Sequence, residues 1–190
     1  MTITVLALDQ SPTATGWAIG SPGDRKPRFG VFKMEAWGNN EGARLKQFHR
    51  WMMDKCAENG VTHLFYEQPF LPSHGNFNSI EPQMFLIGQI NFVAALLDLP
   101  VQQVAMQAWR KRFLGTSRAP PGLTGNHARK ELKQMALKAC AIRGWLAEDD
   151  NAAEALGILD YGCSVLDRKH AGQTDVLFKR AELTIWRGEK

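Results

Sequence analysis

The sequence predicts an α/β fold, a five-stranded mixed sheet with three antiparallel and two parallel strands, flanked by helices. Three observations carry this. Residues 2–35 break into three short β-rich runs separated by Gly/Pro turns, as in a meander. From residue 41 the period changes, and apolar residues recur at helical spacing. Two further short apolar runs, at 62–68 and 100–105, alternate with helix-length segments, the signature of parallel crossovers against a covered sheet.

Taken in order, TITVLAL (2–8) is the first strand, TGWAIG (15–20) the second, and residues 28–35 the third. Residues 41–58 form an amphipathic helix. Leu45, Phe48, Met52 and Cys56 make its apolar stripe, Arg44, Lys46, Lys55 and Glu58 lie off it, and Gly60 ends it. THLFYEQ (62–68) suits a buried parallel strand. Residues 80–98 are apolar almost all round, which predicts a deeply packed helix. PVQQVA is the fifth strand and AWRKRFLG a short basic helix; residues 115–125 form a mobile loop. Helices follow at about 126–146 and 150–166. The domain spans residues 1–166, and the tail 167–190 is unassigned, with 174–186 open to helix or strand.

A chain of 190 residues with 44% hydrophobic residues suits one domain with a sizeable core. Its mean hydropathy is -0.29. No apolar run approaches the roughly 18 residues of a membrane helix, and no signal peptide is visible. Cys56, Cys140 and Cys163 lie far apart without metal-ligand spacing, which predicts reduced, buried thiols in a cytoplasmic protein. The net charge is +4. Between residues 110 and 133, Arg110, Lys111, Arg112, Arg118, Arg129, Lys130 and Lys133 face one acid, Glu131. Taken alone, such a run describes a solvated face as readily as a binding surface.

The acids are more informative. Asp9 ends the first strand and Glu67 the fourth. As parallel neighbours they emerge together at the carboxyl edge of the sheet, where open α/β sheets place their ligands. Strands sit about 4.8 Å apart, so the two carboxylates need a proton or a cation between them. In AEDDNAAEALGILDYG (147–162), Asp149, Asp150 or Asn151 caps a helix. Asp150 and Glu154, four apart, share one face of it. Four carboxylates from three stations can hold two Mg²⁺ ions about 3.5–4 Å apart, the arrangement used for phosphodiester hydrolysis. The bland alternative is capping plus solvated acids.

These residues resemble RuvC-type Holliday junction resolvases of the RNase H-like nuclease superfamily, in particular the phage-type branch. LALDQSPTATGWAI is similar to that family's first motif, YEQPF to its second, IGQINFVAALL to its Gly-Gln helix and DDNAAEALGIL to its terminal acidic helix. The likeness spans roughly residues 3–165. It implies an RNase H-like fold and a Mg²⁺-dependent endonuclease (two ions per site, Mn²⁺ able to substitute) that resolves four-way DNA junctions as a homodimer. It also implies Asp9, Glu67, Asp150 and Glu154 as catalytic metal ligands, with Asn151 the alternative to Asp150 through its amide oxygen. Glu154 stands where the family usually has Asp. By the same resemblance Phe70 stacks on a base near the junction centre, while Lys111, Arg118, Arg129, Lys130 and Lys133 contact phosphates. The apolar face of helix 80–98 is open to two readings, dimer interface or core. Two other functions remain: a less selective flap or RNA–DNA hybrid nuclease on this fold, and a junction-binding protein whose catalytic set has decayed.

Overall fold

Val5-Leu6-Ala7-Leu8 is fully buried, and both its faces are covered, so this run occupies the centre of the sheet. In the computed structural model, which describes residues 2–35, 40–69 and 77–172 (side chains in the last stretch from residue 80), it forms β1 (Val5–Asp9). Strands β2 (Ala14–Gly20) and β3 (Arg28–Lys33) continue antiparallel from it as a meander. After helix α1 (Glu41–Asn59), β4 (His63–Glu67) pairs parallel to β1. Helix α2 (Phe77–Leu96) leads to β5 (Val101–Val104), parallel to β4, and the sheet order is β3-β2-β1-β4-β5. Helices α3 (Met106–Leu114), α4 (Gly125–Ile142) and α5 (Asp150–Leu166) complete the fold. The mixed sheet of three antiparallel and two parallel strands is the one the sequence predicts.

Alternation along the strands sorts the core into two layers. Leu6, Leu8, Leu64 and Tyr66 face α1 and α2, meeting Phe48, Met52, Leu86 and Ile90. Val5, Ala7 and Phe65 face the other way, onto Trp109 and Phe113 of α3, Ala136 of α4 and Leu156 and Leu159 of α5. By the same parity Asp9 and Glu67 project into the second layer. Helix α5 is the hub of that layer, buried without a break from Ala152 to Asp160 and touching β1 to β4 as well as α3 and α4.

Helix boundaries follow local chemistry. Asn40 caps α1 by accepting from the Ala43 amide, and Gly60 closes it in the left-handed conformation (φ 57°, ψ 45°) that glycine adopts without Cβ strain. Among the three candidate caps of α5, Asp149 is the one used, its Oδ1 accepting from the Asn151 amide at 2.8 Å.

One expectation changes. Helix α2 is not packed all round: Met84, Phe85, Phe92 and Leu96 are 43–53% exposed, because the sheet and α1 cover one side only. Beyond α5, residues 168–172 add a helical turn, and His170 bonds back to Asp160 at 3.1 Å. The three cysteines are free and buried, and burial pushes the Cys56 thiol up to about 11 and those of Cys140 and Cys163 to about 12. Among the described residues no helix is long and apolar enough to cross a membrane.

Candidate active site

The site forms where three chain segments meet at one edge of the sheet. Register Leu8↔Tyr66 sets Asp9 and Glu67 on the next rung of neighbouring strands. The buried Gln10 side chain ties those ends together, its Nε2 donating to the Glu67 carbonyl at 2.6 Å. Asp9 pairs with Gly16 of β2, and a Cβ on Gly16 would collide with the Asn151 carbonyl. The missing side chain is therefore what lets the start of α5 lie over β2, beside Asp9. One turn further on, Glu154 is buried among the same groups.

The three carboxyl groups act on one another. Burial holds the Asp9 carboxyl well above the usual carboxylate range, and Glu154 and Glu67 push it higher, against the pull of Lys133 and Arg110. Glu67 is also raised, chiefly by burial and further by Glu154. Trp109 opposes that rise: its indole Nε1–H donates to Glu67 Oε1 at 2.9 Å. Trp109 reaches Glu67 because α5 has Gly157 where the indole passes; a Cβ there would come within 2.7 Å of the ring.

Two cations lie among the acids. Arg110 Nη2 donates to Glu154 Oε1 at 2.9 Å, with both side chains nearly buried. Lys133 of α4 is ion-paired with Asp150, each about one-third exposed. Burial works against the Lys133 charge, yet the hydrogen bond and charge of Asp150, with Glu154 and Asp9 beyond it, raise its pKa above the usual lysine value.

Of the expected ligands, then, Asp9, Glu67 and Glu154 are brought into one electrostatic cluster, while Asp150 lies at its margin on Lys133. Among the described residues no group of three or more His, Cys, Asp or Glu side chains is arranged to hold a metal ion. Two of the four expected ligands carry protein cations: Glu154 is paired with Arg110 and Asp150 with Lys133. The donor chemistry fits a hard divalent cation: every group is a carboxyl oxygen donor, and the raised pKa values of Asp9 and Glu67 would be relieved by added positive charge.

Phe70 lies outside the described residues. Lys111, Arg118, Arg129 and Lys130 are exposed. Arg129 and Lys130 stand one turn before Lys133 on α4 and share its face. Arg112 of the same basic run turns away, to Asp160 at 2.9 Å. Trp109 and Arg110 are the site residues the sequence did not single out. The signal was position: AWR follows the end of β5, and so starts α3 at the edge that Asp9 and Glu67 occupy.

A five-stranded sheet in this order, with α5 packed along β2 and β1 on one face, is an RNase H-like fold like that of RuvC. Thermus thermophilus RuvC in complex with a Holliday junction substrate superposes with a TM-score of 0.60 at 15% identity, over 82% of this chain and 89% of that one. A second Thermus thermophilus RuvC structure gives 0.62 at 15% identity, over 82% and 90%. The yeast mitochondrial Holliday junction resolvase gives 0.57 at 10% identity, over 92% of this chain and 81% of that one. No protein-family model and no curated protein matches the sequence.

Proposed function

We propose that this protein is a divalent-cation-dependent endonuclease that resolves four-way DNA junctions by hydrolysing phosphodiester bonds. The observation that carries the reading is the convergence of Asp9, Glu67 and Glu154 at the carboxyl edge of a RuvC-like sheet, with Asp9 raised by burial, Glu154 and Glu67, and Glu67 raised by burial and Glu154. Asp9, Glu67, Glu154 and Asp150 would hold two Mg²⁺ ions, or Mn²⁺ in their place. Bound there, the ions would lower the pKa of water and stabilise charge on the phosphate oxygens. Trp109 is a positioning residue that fixes the Glu67 carboxylate. Lys111, Arg118, Arg129, Lys130 and Lys133 would supply sequence-independent phosphate contacts.

Two symmetric cuts require two sites, so the reading includes a homodimer. Its support is the exposed stripe of Met84, Phe85, Phe92 and Leu96 on α2, apolar and spaced as one helix face.

The competing reading is a junction-binding protein with a decayed site, in which Glu154 and Asp150 stay paired with Arg110 and Lys133. Cleavage of a synthetic four-way junction in Mg²⁺ decides between them. Duplex, Y-fork and RNA–DNA hybrid run alongside, with Asp9→Asn as control. The nuclease reading expects paired nicks on the junction that vanish in the variant. Junction binding without nicks in Mg²⁺ or Mn²⁺ overturns it in favour of the binder, and equal cutting of forks or hybrids overturns its junction selectivity.

A further inference from the structure

Two cations hold the acids of the candidate site, and Arg110 is not fully satisfied there. The Arg110 guanidinium directs Nη2 to Glu154 while its Nε is buried with no hydrogen-bond partner. An unmet buried donor of that kind is a standing cost to the paired state. Lys133 gives its charge to Asp150 across the same end of α5. Both cations also act on Asp9, so each offsets the cluster as a whole as well as its direct partner.

Four carboxyl groups face two protein cations in this arrangement. Divalent cations on the same carboxyl groups reverse the balance: the attraction that holds Arg110 and Lys133 is cancelled, and both are left beside added positive charge. The anion that then suits them is a phosphate. Lys133 is already a third exposed, on the α4 face that carries Arg129 and Lys130 toward solvent. We propose that Arg110 and Lys133 are exchangeable counter-charges. They hold Glu154 and Asp150 until a divalent cation replaces them, and are thereby released to the DNA backbone, so that divalent cation and junction bind cooperatively. The inference rests on the nuclease reading above, but adds a coupling that a fixed set of ion pairs would not give. By linkage, the factor by which the cation tightens DNA equals the factor by which DNA tightens the cation.

The test uses the whole protein and two binding readouts. Calorimetry measures Mg²⁺ binding without DNA. Anisotropy of a labelled four-way junction, at fixed ionic strength, compares chelator with Ca²⁺, whose oxygen-ligand preference suits the same carboxylates. Lys133→Met is the main variant, because its pair is part-exposed and its loss leaves no fully buried charge; Lys111→Met is the control for simple charge removal, and circular dichroism checks that each is folded. The wild type should bind the junction about tenfold more tightly in Ca²⁺, within the usual span of coupling. Lys133→Met should bind Mg²⁺ more tightly than wild type and lose most of the Ca²⁺-dependent gain. Lys111→Met should bind DNA more weakly in both conditions with the gain intact. A wild type with no gain, or a Lys133→Met protein with an undiminished gain and unchanged Mg²⁺ affinity, overturns the coupling alone. Absence of any divalent binding by the wild type overturns the metal-dependent reading itself, and the coupling with it.

Discussion

Gly16 of β2 and Asn151 of α5 meet backbone to backbone: a single added methyl on Gly16 would overlap the Asn151 carbonyl. Gly16 is also the ladder partner of Asp9. Close approach of α5 to β2 is thus the condition for bringing Glu154 to Asp9. Gly16→Ala has to displace backbone, which is less yielding than a side-chain tip. It should cost about 1–3 kcal/mol and abolish junction cleavage, read by thermal melting and a nicking assay. A fully active variant would show that α5 can sit further from the sheet without consequence.

Trp109→Phe keeps a buried ring but removes the N–H that Glu67 accepts. That hydrogen bond favours the ionised carboxylate, so its loss raises the Glu67 pKa. The acidic limb of the pH–rate profile should move to higher pH. Cleavage at neutral pH should fall roughly tenfold or more, the size expected for a hydrogen bond to a charged group.

Asp9→Asn should stabilise the protein while stopping cleavage. The Asp9 carboxyl is raised in the folded state by burial, Glu154 and Glu67. The folded state therefore holds its proton more tightly than the unfolded chain. Stability falls as pH climbs from the ordinary carboxylate value through the raised one. In chelator at neutral pH the variant should melt higher, by about 2–4 °C for each 1 kcal/mol recovered. The gain should shrink as pH falls toward about 4, where protonation of the wild-type carboxyl begins to extend to the unfolded chain.

Asp160 has the opposite sign. Burial alone would raise its pKa, but the His170 hydrogen bond and the Arg112 and Arg143 charges hold it below the usual carboxylate value. Its contribution is complete above about pH 4, the ordinary carboxylate range, and is lost as pH drops through the depressed value. Asp160→Asn leaves Arg112 and His170 facing a neutral amide. About 3–5 kcal/mol of destabilisation is expected, measured by urea unfolding at pH 7, with a smaller difference in strong acid.

Phe85→Glu with Phe92→Glu should leave the fold intact, since both side chains are about half exposed and such sites tolerate substitution within about 0.5 kcal/mol. Sedimentation should shift from dimer to monomer. An unchanged sedimentation coefficient would remove α2 as the interface.

Much of this architecture is written in short-range chemistry. A buried apolar run that stops at a carboxylate, as at Leu8-Asp9 and Tyr66-Glu67, announces both a central strand and its functional end. Period and capping placed α1 and α5. What the chain did not disclose depends on which distant groups meet. Helix α2 is apolar all round, so its composition cannot say which side the sheet leaves bare. Lys133 reads as a phosphate contact and Arg110 as one more charge in a basic run; that they rest on Asp150 and Glu154 follows from packing α3 and α4 on α5. The bond from His170 to Asp160 has no local signature, because it depends on how the chain folds back after α5.

The cysteines have a practical consequence. With all three thiols buried and titrating near 11 or 12, they are poor nucleophiles at neutral pH. A cysteine placed at exposed Lys111 or Arg118 would therefore take a maleimide dye alone, with the native thiols left in place. The approach of a DNA arm to the acidic edge could then be followed in real time on otherwise unaltered protein.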